Sequence, residues 1–350
     1  MPPPVRASIV IVNYEAGEKL AACLASVRAA RTTGAEVIVV DNDSRDGSID
    51  ALESTFPEVV LIRSPENVGF GAGSNTGARA ARGEFLVFLN PDTRVEEGWL
   101  EALLRPLDAD PRAGLSTAKI LLMDEPGRIN TCGNDVHVTG LTLCRGYREP
   151  RERFRTVEEI AAVSGAAFAV RRAAFETVGG FDETFFLYVE DTDLSWRARL
   201  AGWKCLSAPE SVVYHYYSFR LTPRKVYYEE RNRYQMLVKV LRWRTLILLV
   251  PALLLAEVVT WGFVLLRDRR NAANKVRAYG WILAHLPSLL ARRREVQTIR
   301  RLRDRDLLET TGYALDFDQA SGGLAARAAH SIFDPLFQIL RGLLLRVVSW

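Results

Sequence analysis

The sequence predicts an α/β fold in which a sheet of parallel strands carries helices on both faces and is followed by a helical region. Short apolar runs alternate with segments of helical spacing through residues 8–89, which is the pattern of strand–helix units. The runs are too continuously apolar to leave one face in water, so we expect strands that are covered on both sides. After residue 217 the chain becomes basic and apolar, which predicts two domains, at residues 1–217 and 218–350.

The predicted elements follow one another from the start of the chain. Strands are predicted at residues 8–12, 36–40, 59–62 and 85–89. Helices are predicted at residues 17–31, after a cap at Ser48, and at residues 72–82. Residues 112–165 are less regular, with short strands near residues 131–134 and 140–142. Two later helices, over residues 171–178 and 191–200, are followed by glycines that favour a helix end.

Polar residues follow three of the predicted strands. Asn13, Asp41 and Asp92 each lie at a strand end or within three residues of one. Ligands of open α/β sheets collect beyond the carboxyl ends of the strands, so these residues predict one shared site. Asp92 could equally cap a helix, but an uncompensated charge at the end of a buried strand is costly. Magnesium or manganese would compensate it, taking its other ligands from water and phosphate oxygens.

A second acidic cluster lies further along the chain. Glu190, Asp191 and Asp193 fall at the start of a predicted helix, where the helix dipole favours acids even without a function. His215 follows between strand-like neighbours and is, by itself, equally consistent with a structural histidine. Together with Asp92, these groups can hold a divalent cation and leave one carboxylate free as a base. The combination predicts an enzyme.

A glycine-rich run covers residues 69–77 and contains Gly-x-Gly spacing. It does not follow the first strand, and no acidic residue ends a strand about 20 residues later, so a nicotinamide site is disfavoured. No Gly-Lys-Ser/Thr sequence follows, which excludes a P-loop. We expect these glycines to form a loop in which the backbone comes close to the start of a helix. Such an arrangement can favour binding of a phosphate group.

Charge divides the chain in two. Residues 1–217 contain 23 Lys and Arg against 31 Asp and Glu, and residues 218–350 contain 23 against 11. A basic, apolar second half fits anionic lipid headgroups; nucleic acid is not expected as a partner, because the basic residues flank long apolar stretches. Four separated cysteines without a Cys-x-x-Cys pair disfavour a zinc site and fit a reducing compartment. The first residues have no apolar signal core, so export is not expected.

The basic half contains three apolar segments. Residues 245–266 carry one charged residue, Glu257, between flanking arginines, and are long enough to span a bilayer. Pro251 and Glu257 disfavour the spanning interpretation. Shorter segments follow at residues 276–290 and 332–350. Three such segments in series predict attachment to a membrane surface, with ordinary helical packing onto the catalytic domain as the alternative.

Five motifs resemble a known family. They are Ile-Val-Asn-Tyr at residues 11–14, Asp-Asn-Asp-Ser-Arg-Asp-Gly-Ser at 41–48, Asn-Val-Gly-Phe-Gly-Ala-Gly-Ser-Asn at 67–75, Phe-Leu-Asn-Pro-Asp at 88–92, and Gly-Gly-Phe-Asp-Glu at 179–183 before Glu190-Asp191. On these motifs, residues 6–240 resemble the inverting glycosyltransferases of family 2, and among them the rhamnosyltransferase-like branch that builds bacterial cell-surface polysaccharide. The resemblance implies the GT-A fold, a Rossmann-like mixed sheet flanked by helices.

The resemblance also implies roles for individual residues. Asp41 corresponds to the acid that reads the pyrimidine ring, Asp92 and His215 to ligands of Mn²⁺ or Mg²⁺, and Asp191 to the catalytic base. Glu190 and Asp193 have supporting roles. The implied donor-binding residues are Asn13, Asp41, Asp43, Asn67, Gly71, Asn75, Asn90 and Arg231. Arg231 is expected to meet the diphosphate, and Asn90 stands where many members have an acid.

The implied reaction transfers a sugar, for example a deoxyhexose such as rhamnose, from a nucleotide-diphosphate donor to a hydroxyl group. The expected acceptor is a glycan linked to polyprenyl diphosphate, at the cytoplasmic face of the inner membrane. The Gln/Arg-x-x-Arg-Trp motif of processive enzymes is missing, so one sugar per encounter is expected. Two alternatives stay open: a nucleotidyltransferase acting on sugar phosphates, disfavoured by the few basic residues in residues 7–62, and a membrane-bound scaffold with a decayed site, favoured by Asn90.

Overall fold

The structure is a computed structural model that describes residues 5–218, 222–267, 269–315 and 324–350. The chain divides into two compact units. The first comprises residues 1–134, 144–198 and 203–217, and the second comprises residues 135–143, 199–202 and 218–350.

Strands and helices alternate in the first part of the chain. The strands are β1 (Ala7–Asn13), β2 (Ala35–Asp41), β3 (Val60–Arg63), β4 (Phe85–Leu89), β5 (Thr93–Val95), β6 (Ala113–Leu122), β7 (Ile129–Thr131), β8 (Asn134–Val136), β9 (Thr142–Cys144), β10 (Ala167–Arg171) and β11 (Lys204–His215). The helices are α1 (Glu18–Ala29), α2 (Leu52–Thr55), α3 (Gly69–Ala80), α4 (Trp99–Ala109), α5 (Arg172–Thr177) and α6 (Glu190–Leu200).

One mixed sheet organises the first unit. Its strand order is β3-β2-β1-β4-β10-β6-β11-β5, with β7 beside β6. The strands β3, β2, β1 and β4 are parallel, so Asn13 and Asp41 lie at the same register position at the end of β1 and β2. β10 enters antiparallel between β4 and β6, and β11 pairs parallel with β6. The sheet therefore brings the ends of β1, β2 and β4 to one edge, where ligands of such sheets bind.

Helices cover both faces of this sheet, as the apolar runs predict. On one face, α1 and α4 pack against side chains that include Ile9, Val39 and Val87. On the other face, α3, α5 and α6 pack against side chains that include Val10, Val40 and Phe88. Alternate residues of one strand thus enter different cores. This explains why β1 and β4 are buried along their whole length.

Three local predictions are wrong. The region read as irregular contains β6, a ten-residue strand that is buried throughout. Ser48 does not cap a helix; its hydroxyl lies 2.9 Å from the Asn13 amide nitrogen, and the helix that follows is only Leu52–Thr55. The run predicted as a glycine loop is the first part of α3, which begins at Gly69.

The second unit is largely helical, as predicted. Its helices are α7 (Pro223–Val240), α8 (Trp243–Arg267), α9 (Ala272–Ala284), α10 (Leu286–Thr298), α11 (Asp304–Glu309) and α12 (Leu324–Val347). Within the described part of the chain, one helix is long and apolar enough to cross a membrane, over Trp243–Leu266 of α8.

Candidate active site

The end of β1 holds the end of β2 through a buried amide. Asn13 Nδ2 lies 2.9 Å from Asp41 Oδ1 and 2.9 Å from each of the hydroxyls of Ser44 and Ser48. The Ser44 N–H donates to Asp41 Oδ2 at 3.2 Å. Because parallel strands bring these groups to one edge, Asp41 has a fixed orientation and can accept hydrogen bonds from a ligand there. Asp43, two residues later, is partly exposed and pairs with Arg45.

The glycines of α3 serve close packing. A Cβ on Gly77 would lie 2.3 Å from Val10 Cγ1, and one on Gly73 would lie 2.9 Å from Val12 Cγ1. Gly71 is similarly close to Phe181, at 3.3 Å. The phosphate-favouring loop expected from these glycines is therefore a helix seated directly on β1. Gly71 is one of the predicted donor-binding residues, and in the structure its missing side chain lets the segment that contains Phe181 pack against α3.

Asn67 and Asn75 hold the backbone at the two ends of this motif. Asn67 Oδ1 accepts a hydrogen bond from the Gly69 N–H at 2.9 Å. Asn75 Nδ2 donates to the Phe181 carbonyl, and Asn75 Oδ1 accepts from the Phe181 N–H, both at 2.9 Å. These amides fix the glycine motif and the segment that precedes Asp191. A contact of either residue with a donor stays a prediction.

Asp92 and His215 form a pair at the end of the sheet. Asp92 Oδ1 lies 3.3 Å from His215 Nε2, and the Tyr216 N–H donates to the Asp92 carbonyl at 3.1 Å. Burial alone would raise the pKa of Asp92, but the hydrogen bond and charge of His215, together with Lys19, bring the pKa below its usual value. The carboxylate is therefore ionised at neutral pH and suited to bind a cation.

The tautomer of His215 follows from its second contact. His215 Nδ1 lies 2.9 Å from Asn130 Oδ1, an oxygen that can only accept a hydrogen bond. Nδ1 then carries a proton, and Nε2 is the ring nitrogen that faces Asp92. A cation that displaces the Nε2 proton would meet two ligand atoms, Nε2 and Asp92 Oδ1, 3.3 Å apart, a separation suited to neighbouring positions around one divalent cation. No group of three His, Cys, Asp or Glu side chains suited to a metal exists among the described residues, so this pair would need further ligands from water or phosphate.

Asp191 lies at the start of α6 and accepts four hydrogen bonds. Oδ2 accepts from the Gly165 N–H at 2.7 Å and from the Asn134 amide at 3.0 Å. Oδ1 accepts from the N–H of Thr192 at 2.7 Å and from its hydroxyl at 3.2 Å. Burial raises the pKa of Asp191, and these donors offset part of the rise. An oriented, partly exposed carboxylate with a raised pKa has the properties of a general base.

Glu190 differs from its neighbour in environment. It is buried, and its Oε2 has no hydrogen-bond partner within the described structure. Burial, together with the nearby charge of Asp191, raises the pKa of Glu190 to about 8. The protonated form of Glu190 is therefore favoured, and Asp191, which accepts four hydrogen bonds, is the member of the pair that is better able to hold a negative charge.

Asp193 has a structural environment. It receives a hydrogen bond from Arg197 Nε at 2.7 Å, and both side chains are buried. Arg197 also donates to the carbonyls of Val178 and Gly180. The Asp193–Arg197 pair therefore fixes the glycine turn before Phe181, and the supporting role of Asp193 in the reaction stays a prediction.

The backbone before Glu190 is strained. Phe186, Tyr188 and Val189 have φ angles of 62°, 68° and 69°, in the left-handed region that non-glycine residues rarely adopt. Each such residue costs about 1–3 kcal/mol. The Phe70 N–H donates to the Phe186 carbonyl at 2.8 Å, and a Cβ on Gly69 would lie 2.3 Å from that oxygen. Gly69 is thus required for the contact that supports the strained segment.

One segment connects the base with the Asp92 loop. The Gly165 N–H donates to Asp191, and the neighbouring Ala166 carbonyl accepts from the Asn90 N–H at 2.9 Å. Asn90 lies two residues before Asp92, and its side-chain amide makes no hydrogen bond with any described residue. Residues 164–166 thus place the Asp191 carboxylate beside the loop that carries Asn90 and Asp92.

Arg231 lies in the second unit, on α7. Arg231 is 5% exposed, and its guanidinium group lies over the rings of Tyr228 and Trp281, at 4.7 and 4.5 Å. Its Nε donates to Asn232 Oδ1. The contact of Arg231 with a diphosphate stays a prediction.

Known proteins share this sequence pattern and this fold. A sequence profile described as Glycosyl transferase family 2 matches residues 8–179. The N-acetylglucosaminyl-diphospho-decaprenol L-rhamnosyltransferase of Mycobacterium tuberculosis is 30% identical over 232 residues, which cover 59% of this chain and 75% of the relative. The chain belongs to glycosyl transferase family 2. The resemblance inferred from the motifs is therefore confirmed.

Other relatives of this family 2 glycosyltransferase cover less of its length or are more distant. The pre-mycofactocin glycosyltransferase of M. tuberculosis is 35% identical over 188 residues, covering 52% of this chain and 37% of the relative. S. aureus TarS 1–349 in complex with UDP-GlcNAc has a TM-score of 0.55 at 16% identity, covering 96% of this chain and 90% of that one. GalNAc-T7 with UDP, GalNAc and Mn²⁺ has a TM-score of 0.56 at 19% identity, covering 68% and 48%. These structures confirm the GT-A-like fold.

Sequence reasoning missed three groups in the site of this glycosyltransferase: the Asn130 amide, the Asn134 amide and the Gly165 N–H. Both asparagines lie in an irregular stretch near short strands, and no spacing connects Asn130 with His215 or Asn134 with Asp191. A buried asparagine beside apolar neighbours is a weak signal of a functional contact, because its amide can also form hydrogen bonds with backbone groups. Only the folded sheet shows which charged residue each amide meets.

Proposed function

We propose that this glycosyltransferase moves a sugar from a nucleotide-diphosphate donor to a hydroxyl of a lipid-linked glycan, with inversion at the anomeric carbon. The observation that carries the proposal is the Asp191 carboxylate, which four hydrogen bonds orient and which residues 164–166 connect to the Asp92 loop. A base and a pair of cation ligands on one sheet edge are the groups that such a displacement requires.

The donor side of the site is assigned to the ends of β1, β2 and β4. Asp41 is positioned to accept hydrogen bonds from the nucleobase, with Asn13 holding its carboxylate. Asp43 and Asn90 have polar side chains available at the same edge, while Asn67, Gly71 and Asn75 shape the backbone around it. Mutation of Asp41 is expected to weaken donor binding more than turnover.

Asp92 and His215 are assigned to a divalent cation, Mn²⁺ or Mg²⁺. The fit rests on the ionised carboxylate of Asp92 and on His215 Nε2, which the contact between Nδ1 and Asn130 holds toward that carboxylate. When bound, such a cation supplies Lewis-acid stabilisation of the leaving diphosphate. A structural neighbour with UDP and Mn²⁺ bound, GalNAc-T7, supports the assignment.

The chemical step follows from the position of Asp191. Its carboxylate accepts the proton of the acceptor hydroxyl while that oxygen forms a bond to the anomeric carbon. The bond from the anomeric carbon to the diphosphate oxygen breaks, and the nucleoside diphosphate leaves with the electron pair. A single displacement of this kind inverts the anomeric configuration. Because the protonated form of Glu190 is favoured, it does not compete as a second anion beside the base.

The acceptor and the sugar are proposed from one relative of this chain. The M. tuberculosis relative is named for transfer of L-rhamnose to N-acetylglucosaminyl-diphospho-decaprenol. We assign this chain to a similar lipid-linked acceptor at the cytoplasmic face of the inner membrane, with a deoxyhexose as the first sugar to test. The helical second unit and its positive charge support that location. Family membership disfavours the nucleotidyltransferase, and a scaffold with a decayed site would release no nucleotide in the assay below.

A donor panel tests the proposal. The protein is incubated with nucleotide sugars and Mn²⁺, and the released nucleotide is identified by chromatography. We expect slow release of nucleoside diphosphate from one donor, and faster release with a polyprenyl-diphosphate glycan present. The control is Asp108→Asn, a partly exposed aspartate on α4 that pairs with Arg6. Release of pyrophosphate, or no release with any donor and acceptor, would refute the proposal.

A further inference from the structure

Helices α8 and α12 of the second unit each expose one continuous apolar stripe. On α8 the exposed residues recur at helical spacing: Trp243, Ile247, Val250, Leu254, Val258 and Leu265. On α12 they are Ile332, Leu336, Ile339, Leu343 and Val347. Leu254 is 63% exposed and Ile339 is 59% exposed, although large apolar side chains are usually covered. We call these two stripes the α8–α12 apolar face.

The two helices run antiparallel beside each other. Phe337 of α12 packs with Ala256 and Val259 of α8. At the other end, Trp350 Nε1 donates to the Thr245 hydroxyl at 2.9 Å. The first turn of α8 therefore lies beside the end of α12. The exposed stripe of α8 from Ile247 to Leu265 is about 27 Å long.

The opposite side of α8 is occupied by protein. Leu249, Ala252 and Ala256 are buried, and α8 packs against α7, α9 and α12. Glu257 points into this packing and pairs with Arg233 of α7 at 2.7 Å and with Lys275 of α9 at 2.9 Å. Crossing a bilayer would carry these charged partners into the hydrocarbon, which is costly. Only one side of α8 is available to lipid, so the helix can lie in the membrane interface but not across it.

The charges around the α8–α12 apolar face indicate that it binds a lipid surface. Arg242 and Arg244 are exposed at the start of α8, and Arg346 is exposed at the adjoining end of α12. The exposed Trp243 lies among them, and tryptophan is enriched at the level of lipid headgroups. Residues 218–350 carry 23 Lys and Arg against 11 Asp and Glu, so two copies of this region would repel each other. Anionic headgroups would attract it.

We propose that the α8–α12 apolar face docks into the surface of an anionic bilayer, with both helices in the plane of the interface. The long apolar segment read from the sequence as a possible span is then one half of a two-helix docking surface. The proposal does not depend on which sugar is transferred. Its failure would leave the assignment of Asp191 intact.

Vesicle binding tests the proposal with matched variants. The full chain is floated with vesicles of phosphatidylcholine and phosphatidylglycerol, and separately with phosphatidylcholine alone. Val258→Glu and Ile339→Glu place a charge in each stripe, and Val157→Glu places one at a valine of similar exposure in the first unit (52% against 62%). We expect wild-type binding to be stronger on the anionic vesicles and to fall with salt. Each stripe variant should lower the partition coefficient at least tenfold, and Val157→Glu should leave it unchanged.

Two further measurements keep the test decisive. Circular dichroism and thermal unfolding show whether each variant is folded. If a glutamate variant is unfolded, Val258→Ser and Ile339→Ser give a milder change at the same positions. Extraction with alkaline carbonate should release the wild-type protein from membranes. Retention after extraction would mean that α8 spans the bilayer, and undiminished binding of the stripe variants would mean that another surface binds lipid. A dimer that the variants dissociate, without vesicle binding, would assign the face to a second copy. Each of these three results would overturn the proposal.

Discussion

Replacement of Asn130 by Ala should weaken metal binding without touching either proposed metal ligand. Asn130 is 1% exposed, and its Oδ1 lies 2.9 Å from His215 Nδ1. This contact holds a proton on Nδ1, so that Nε2 is the nitrogen left to bind a cation beside Asp92. Without it, the imidazole can turn or exchange its proton to Nε2, and either change removes the ligand.

The size of the effect can be worked from this contact. A hydrogen bond of this kind contributes about 1 kcal/mol net, and a donor left buried without a partner costs about 1–3 kcal/mol. The second cost alone corresponds to about 5–150-fold in an equilibrium constant, which includes the 10–100-fold loss of affinity that is usual when a residue orienting a metal ligand is removed. We therefore expect the dissociation constant for Mn²⁺ to rise by about 10–100-fold in Asn130→Ala.

Titration of Mn²⁺ followed by electron paramagnetic resonance measures this constant directly, in the presence of nucleoside diphosphate and without turnover. Asn134→Ala is the matched control, because Asn134 is a buried asparagine four residues later that contacts Asp191 and not His215. It should bind Mn²⁺ normally and lose turnover. Equal Mn²⁺ affinity in wild type and Asn130→Ala would refute the assigned tautomer; loss of affinity in both variants would point to general damage.

Two further changes test other parts of the structure. Folding raises the pKa of Glu190 from 4.5 to about 8, so the folded state retains a proton that the unfolded state releases. The stabilising effect of this proton is complete below pH 4.5 and is lost as pH rises through about 8. Glu190→Gln should therefore flatten the fall of the melting temperature between these pH values. An unchanged slope in the variant would contradict the raised pKa of Glu190. Gly77→Ala would place a Cβ 2.3 Å from Val10 Cγ1 and should lower the free energy of unfolding by about 1–3 kcal/mol. Gly127→Ala, which meets no atom within 4 Å, is its control in denaturant unfolding, and equal stability of the two variants would show that α3 does not pack as described.

The sheet edge could be predicted because its signal is local. Continuous apolar runs identify buried strands, and the polar residues that end them, Asn13 and Asp41, must then lie together when the strands are parallel. The register of β1 and β2 confirms this proximity. The same argument fails for β6 and β10, since β10 is antiparallel to both of its neighbours and β6 is followed by the short strand β7 instead of a helix.

The glycine motif was misread for a physical reason. Glycine lowers helix propensity by about 1 kcal/mol per residue relative to alanine, so four glycines in nine residues indicate a loop. In the structure, close contact with Val10 and Val12 of β1 outweighs that propensity. Tertiary packing of this kind cannot be read from the local sequence.

The hydrogen bonds that orient His215 and Asp191 could not be predicted from the local sequence either. Asn130 meets His215 across 85 residues, and Asn134 meets Asp191 across 57 residues. Likewise, the charge on Glu257 appeared only as an argument against a spanning helix. The structure gives it the partners Arg233 and Lys275, which explains why a charge is tolerated in α8.

The central claim is that Asp191 is the base of an inverting transfer, and Asp191→Asn tests it most directly. The amide keeps the size of the side chain but cannot accept the acceptor proton. We expect turnover to fall by about 10²–10⁴-fold. Donor affinity measured by calorimetry should be unchanged, and the wild-type product should show inverted anomeric configuration by NMR. Comparable turnover by Asp191→Asn, or a product with retained configuration, would contradict the assignment.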